Sequence, residues 1–186
     1  MKTTLKTLVS FLIISTLLLV SSCASKPKNA EAVTNFELNR YLGVWHEIAR
    51  IDFKHEEGLN NVSAQYTLDD NGNVRVLNSG YNYEKKEWEK AEGWAKFRGH
   101  EHIAELKVSF FRPFYSGYNV VAIDENYQYA LVVGKDLDYL WILSRSKEVP
   151  ETVKNEYLAL AHKIGYDTSR LLWVTHNRDD NPYLNK

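Results

Sequence analysis

From Val62 onward the sequence repeats one device, an apolar residue at every second position followed by a short polar turn, and this alternation restricts the fold more than anything else in the chain. Successive strand side chains point to opposite faces, so period 2 means a strand with one buried face. Val62, Ala64, Tyr66 and Leu68 lie on one face against Ser63, Gln65 and Thr67. The turn that follows contains Asn71-Gly72, a strong hairpin signal, and the return strand offers Val74, Val76 and Asn78. After polar residues 82–87, Ala91, Gly93, Ala95 and Phe97 face in, and Glu92, Trp94, Lys96 and Arg98 face out. Leu106, Val108 and Phe110 continue the pattern, residues 111–117 read as a loop, and three more strands follow at 118–124, 129–133 and 139–145. With a strand over residues 43–50 this makes eight, evenly spaced and each sided. An up-and-down barrel or a sandwich needs such a set, and the short turns between neighbours favour the barrel. The expected class is therefore all-β, an eight-stranded antiparallel barrel. One helix follows, with Pro150 suited to its first turn, Val153, Tyr157, Leu160, Ala161 and Ile164 on one stripe, and Gly165 as its stop. The helix should pack on the outer wall, and residues 171–175 read as a last short strand.

Ahead of the repeats stands Asn39–Arg50, where Gly43, Val44 and Trp45 open the first strand. Gly43 allows a bend or a close approach, and the indole of Trp45 requires burial by something further along. On strict alternation Glu47 and Ala49 share the inward face with Trp45. The chain's 5 Trp, 12 Tyr and 7 Phe fit strands better than helices. A net charge of −1 with no basic run beyond the N-terminus gives nucleic acid nothing to hold.

The N-terminus has a separate logic. Lys2 and Lys6 precede an apolar run from Leu8 to Val20, then Ser21, Ser22 and the sole cysteine, Cys23. This is the three-region form of a secretory signal, with a core short for a membrane span. Residues 1–22 are read as a removed signal peptide, 23–34 as a tether, 35–176 as the domain and 177–186 as a loose polar tail. Loss of Lys2 and Lys6 leaves 21 basic against 24 acidic residues, a mature charge of −3.

Chemistry-bearing constellations are sparse. His100 and His102 share a face without a third ligand, no Gly-x-Ser-x-Gly elbow accompanies the serines, and neither a dinucleotide fingerprint nor a phosphate loop occurs. No metal, cofactor or enzymatic activity is expected.

Three features in order, Gly43-Val44-Trp45, Asp124 with Tyr127, and Arg145, resemble the motifs of the lipocalins. The longer strings at residues 40–50, 107–115 and 138–145 look like the bacterial outer-membrane lipoprotein branch of that family, and more distantly like its apolipoprotein D branch. His46 stands where the family often has Tyr, and Pro150 where a helix cap is expected. Leu19–Cys23 resembles a lipobox, which implies diacylation of Cys23. By analogy with enteric sorting, Ala24 after it implies the outer membrane, facing the periplasm. The resemblance also implies that Arg145 lies across Trp45 at the closed end, and that Gly43, Trp45, Asp124, Tyr127 and Arg145 are structural. A lipocalin barrel holds one small ligand. The cavity candidates are Glu47, Ala49, Val62, Ala64, Tyr66, Val76, Asn78, Leu106, Val108, Phe110, Tyr118, Val120, Tyr139 and Trp141, with Leu68, Val74, Ala122, Ala130, Val132 and Leu143 on the same inward face. This mostly apolar lining suits a fatty acid or lysophospholipid, with Tyr66, Asn78, Tyr118 and Tyr139 near its headgroup. For Glu47 three fates stay open: a cation partner, water at the mouth, or a proton. An enzyme on the same fold and an envelope interaction module with a filled barrel are the alternatives, and the oligomeric state is open, a homodimer included.

Overall fold

In the computed structural model, residues 25–184 are described; the signal segment and Cys23 lie outside them. A one-turn helix α1 (Leu38–Tyr41) leads into β1 (Gly43–Ile51), then β2 (Leu59–Leu68), β3 (Val74–Asn82), β4 (Glu87–Phe97), β5 (Glu105–Phe111), β6 (Phe114–Ile123), β7 (Tyr129–Val133) and β8 (Leu140–Ser144). Helix α2 (Glu151–Ile164), a 3-10 turn and β9 (Leu171–Trp173) follow. Each of β1 to β8 pairs antiparallel with its neighbour in sequence, and β1 closes the barrel by pairing β2 through its first half and β8 through its second. The mouth-side end of β1 also takes β9, which covers an edge left open where β2 diverges.

Two cores result. Inside the closed end, Trp45, Tyr41, Tyr66, Phe36, Val120, Val132 and Leu143 pack together. Outside, Ile48, Leu131, Leu140 and Ile142 present a second apolar face to Tyr157, Ala161 and Ile164 of α2. The helix stripe at positions 157, 161 and 164 is what the sequence spacing predicts. Pro150 is the N-cap rather than the first helical residue and supplies no side-chain cap, while Gly165 at φ +119° ends the helix with its N–H bonded to Ala161 and His162 carbonyls.

Strict alternation fails at two places. A bulge between Glu47 and Ala49 sets Glu47 opposite Leu143 but Ala49 opposite Ile142. Because an extra residue reverses the facing of everything beyond it, Ala49 turns outward into the helix-side core and Arg50 turns in. Ala49 is therefore not a cavity residue. A second bulge between Val120 and Ala122 turns Ala122 outward in the same way. Val120 does face inward, but it is fully buried in the packed closed end and does not line the cavity. Leu68, where β2 ends at the closed end of the barrel, is 42% exposed instead of lining anything.

Residues 111–117 are not a loop: β5 and β6 run to Phe111 and Phe114, which pair with each other. Residues 25–34 do not hang free as a tether. Val33 and Thr34 bridge to Val120, Ala104 and Ile103, and Ala30 is buried against the helix-side core. Nor is the tail loose as far as it is described. Asn61 binds Asn177 and the backbone N–H groups of Asn177 and Arg178, and Asn181 donates to Ser79 at 2.9 Å.

Candidate functional site

The floor comes first because it fixes where a ligand can go. Gly43 sits at φ +96°, and a Cβ there would lie 3.4 Å from Arg145 Nη1, so the chain turns tightly under the guanidinium. Arg145 Cζ stands 3.9 Å above the centroid of the buried Trp45 indole. Its Nη1 donates to the Val44 carbonyl at 2.8 Å, and Nη2 to those of Arg40 and Leu42 at 2.8 and 2.9 Å. Its Nε donates to the Tyr127 carbonyl. Asp124 accepts backbone N–H bonds from Asn126, Gln128 and Tyr129, which hold Tyr127 at φ +57° with its hydroxyl on the Glu37 N–H. One arginine and one turn thus close the end of the barrel.

Above this floor is a cavity of about 550 Å³, within the range of ligand sites. Of the candidate residues Glu47, Val62, Ala64, Tyr66, Val76, Asn78, Leu106, Val108, Phe110, Tyr118, Tyr139 and Trp141 border it. Residues not anticipated also do, among them Tyr41, Phe53, Glu56 and Phe114. Tyr41 belongs to the α1 turn, and Phe53 and Glu56 to the β1–β2 loop, where no periodicity points inward. Phe114 was hidden by the loop reading of its hairpin.

At the bottom, the Tyr118 hydroxyl lies 2.6 Å from that of Tyr41 and 2.8 Å from that of Tyr66. Burial pushes the pKa of all three phenols up, so they are neutral hydrogen-bonding groups. Three hydroxyls making two mutual bonds retain one hydrogen for a further acceptor.

Higher in the wall, Arg50 sits with its side chain wholly buried among three carboxylates. Nη1 donates to Glu47 Oε1 at 2.8 Å, Nε to Asp52 Oδ1 at 2.7 Å, and Nη2 to the Glu56 carbonyl at 2.7 Å. Glu56 Oε2 is 3.8 Å from Nε and accepts from the Trp141 indole at 3.1 Å. Of the three fates open to Glu47, the geometry gives the cation partner. Even so, burial first and the neighbouring Glu56 charge second push its carboxyl pKa up, and burial does the same to Glu56. One guanidinium does not neutralise three carboxylates, so this wall favours retaining a proton. Phe53 meets Tyr139 and Trp141 edge to face beside it. Asn78 Oδ1, on β3, is buried with no hydrogen-bond partner among the described residues. No set of three His, Cys, Asp or Glu among the described residues could hold a metal ion.

The profile of the Lipocalin-like domain family matches residues 36–176. This chain belongs to the lipocalins. Outer membrane lipoprotein Blc of Escherichia coli K12 is 50% identical over 158 residues, covering 84% of this chain and 89% of the relative. The protein of that name from Vibrio cholerae is 44% identical over 165 residues, covering 88% and 96%. Apolipoprotein D of Cavia porcellus is 36% identical over 134 residues, 68% of this chain and 69% of its own. Among solved structures, insecticyanin from the tobacco hornworm aligns with a TM-score of 0.64 at 20% identity, over 79% of this lipocalin and 84% of insecticyanin. That likeness bears on the fold alone. No helix among the described residues is long and apolar enough to cross a membrane.

Proposed function

We propose that this lipocalin, acylated at Cys23 and held on the outer membrane facing the periplasm, stores or carries a single-chain amphiphile, a fatty acid or lysophospholipid, without transforming it. The observation that carries this reading is the 550 Å³ cavity, closed below by Trp45 and Arg145 and walled by Val62, Val76, Leu106 and Val108. Apolar burial of an acyl chain there gains about 0.8 kcal/mol per methylene. The unpartnered Asn78 oxygen offers an acceptor to a headgroup hydroxyl or ammonium. The name shared by the bacterial relatives supports the lipoprotein assignment of Cys23. For an enzyme on the same fold, burial holds Tyr118 as a neutral phenol, which could donate a proton or a hydrogen bond but not act as a base.

The test is displacement of a fluorescent fatty acid by fatty acids and lysophospholipids, paired with native mass spectrometry of the purified protein. Expected are saturable 1:1 displacement and a co-purifying amphiphile. Absence of both sinks the carrier reading. Turnover of a bound lipid that Glu47→Gln or Tyr118→Phe abolishes while binding survives would establish an enzyme instead.

A further inference from the structure

The rim of the barrel is unequal. At the tip of the β5–β6 hairpin, Phe111 and Phe114 stack with ring centroids 6.3 Å apart and are 76% and 71% exposed. Phe110 and Tyr115 flank them, so four of the nine exposed large hydrophobic side chains among the described residues belong to one hairpin. Beside these rings stand three cations. Arg112 lies 4.4 Å over Trp94, and Lys96 and Lys107 face each other across β4 and β5, both over the Tyr115 ring at 5.0 and 5.3 Å. Like charges directly opposite in a ladder repel. Yet none of the three has a carboxylate within ion-pair distance among the described residues, whereas Lys26, Lys85 and Lys90 do. Exposed rings bordered by Trp, Tyr and unneutralised cations suit the headgroup zone of an anionic bilayer, with rings at the acyl boundary and cations at phosphates.

The position of the N-terminal segment decides which end of the barrel can reach that bilayer. Ser25 is pinned to the wall of β6: Arg98 donates to its hydroxyl, Asn119 Nδ2 to its carbonyl at 3.1 Å, and a Cβ on Gly117 would lie 1.9 Å from that oxygen. Gly117 is three residues from Phe114 along the strand, about 10 Å. Ile123, at the closed end, is about 20 Å the other way. Cys23 is two residues beyond Ser25 and so reaches at most about 7 Å from it. An anchor there comes within about 3 Å of the plane of the hairpin tip and stays about 13 Å short of Ile123 at the closed end.

We infer that the calyx docks mouth-first on the bilayer that holds the Cys23 acyl chains, with Phe111 and Phe114 seated in an anionic phospholipid surface, so that an amphiphile passes between membrane and cavity without crossing water. This rests on the acylation of Cys23 but not on the identity of the cargo. The experiment reconstitutes full-length acylated protein into phosphatidylethanolamine–phosphatidylglycerol vesicles. A fluorophore is carried at Phe111→Cys or at Leu68→Cys, the native thiol being acylated. Quenching by bromine-labelled lipids is expected at position 111 and not at 68. Because labelling alters the tip itself, the second measurement leaves it unlabelled and changes two of the rim cations that do not line the cavity: Lys107→Ser/Arg112→Ser slows transfer of a fluorescent fatty acid out of vesicles by about tenfold or more, with equilibrium affinity unchanged. Equal quenching at both positions, quenching at neither, or hairpin-to-hairpin crosslinking of two copies without lipid quenching overturns the inference. So does a Cys23→Ser chain that stays on vesicles to the native extent. A protein that docks mouth-first and yet binds no fatty acid supports the inference and overturns only the carrier reading.

Discussion

Arg50 sets the electrostatics of the cavity wall. Its side chain is fully buried, and it is the cation shared by Glu47, Asp52 and Glu56. A buried pair adds little net stability, but removing one partner leaves the other charges uncompensated. Arg50→Leu is expected to cost about 3–5 kcal/mol in urea unfolding at neutral pH, and Glu47→Gln in the same chain should recover part of that loss. If the single substitution is neutral, Arg50 is not the counter-ion of the wall. His46 gives a prediction in pH. Burial, then His176 and Lys147, lower its pKa from 6.5 to about 4. Between those values the unfolded chain binds more protons than the folded one, so this contribution is intact above pH 6.5 and is lost as pH falls toward 4. For a partly exposed ring the loss is on the order of 1 kcal/mol. Glu47 and Glu56, raised above their usual pKa, work in the opposite direction over the acid range. The clean measurement is therefore the difference between the native chain and His46→Tyr, whose unfolding free energies should diverge as pH falls below 6.5.

Among the elements, β5 and β6 are held at their positions by glycine as much as by side chains. Gly93 pairs with Val76, and a Cβ there would meet the Ser109 carbonyl at 2.8 Å and the Phe110 ring at 2.9 Å. The backbone contact cannot relax by a rotamer change, so Gly93→Ala should destabilise by about 1–3 kcal/mol and shift the Phe110 ring. Thermal unfolding, together with the affinity for a fluorescent fatty acid, checks both; an unchanged midpoint would mean that β5 yields freely. Strand pattern also marks how far the sequence could be read. Period 2, Asn71-Gly72 and the helical stripe of α2 are local signals, and they located the nine strands and α2, but left residues 114–117 of β6 in a loop and the one-turn α1 unread. A bulge leaves no such signal. Ile48-Ala49-Arg50 reads as continued alternation, and only the pairing with β8 shows that Ala49 faces the helix and Arg50 the interior. The same blindness affects Ala122, and the packing of residues 25–34 on the wall, whose small polar residues look like a linker until Arg98 and Asn119 are seen to hold Ser25.

The whole molecule divides its length between stability and binding. The closed half is packed by Trp45, Arg145, Tyr41 and Val120 and needs no ligand, whereas the open half encloses about 550 Å³ whose walls lack partners on one side. A ligand that binds only the folded barrel should therefore raise stability by about 2.7 kcal/mol at a hundredfold excess over Kd. For a domain of this size that is a melting shift of about 5–10 °C. Val108, level with Ala95 and Ser116 across the neighbouring strands, borders the cavity from β5. Val108→Trp should place an indole in the space that an acyl chain would fill while leaving the floor untouched. The unliganded variant should then melt at or above the native temperature, since it buries more apolar area. The shift on adding fatty acid should shrink by most of its size, and affinity should fall by more than tenfold. A variant that keeps the full ligand-induced shift would mean that the amphiphile binds elsewhere than in the barrel. One that melts far below the native protein would mean that the open half is already closely packed, as an interaction module with a filled barrel requires.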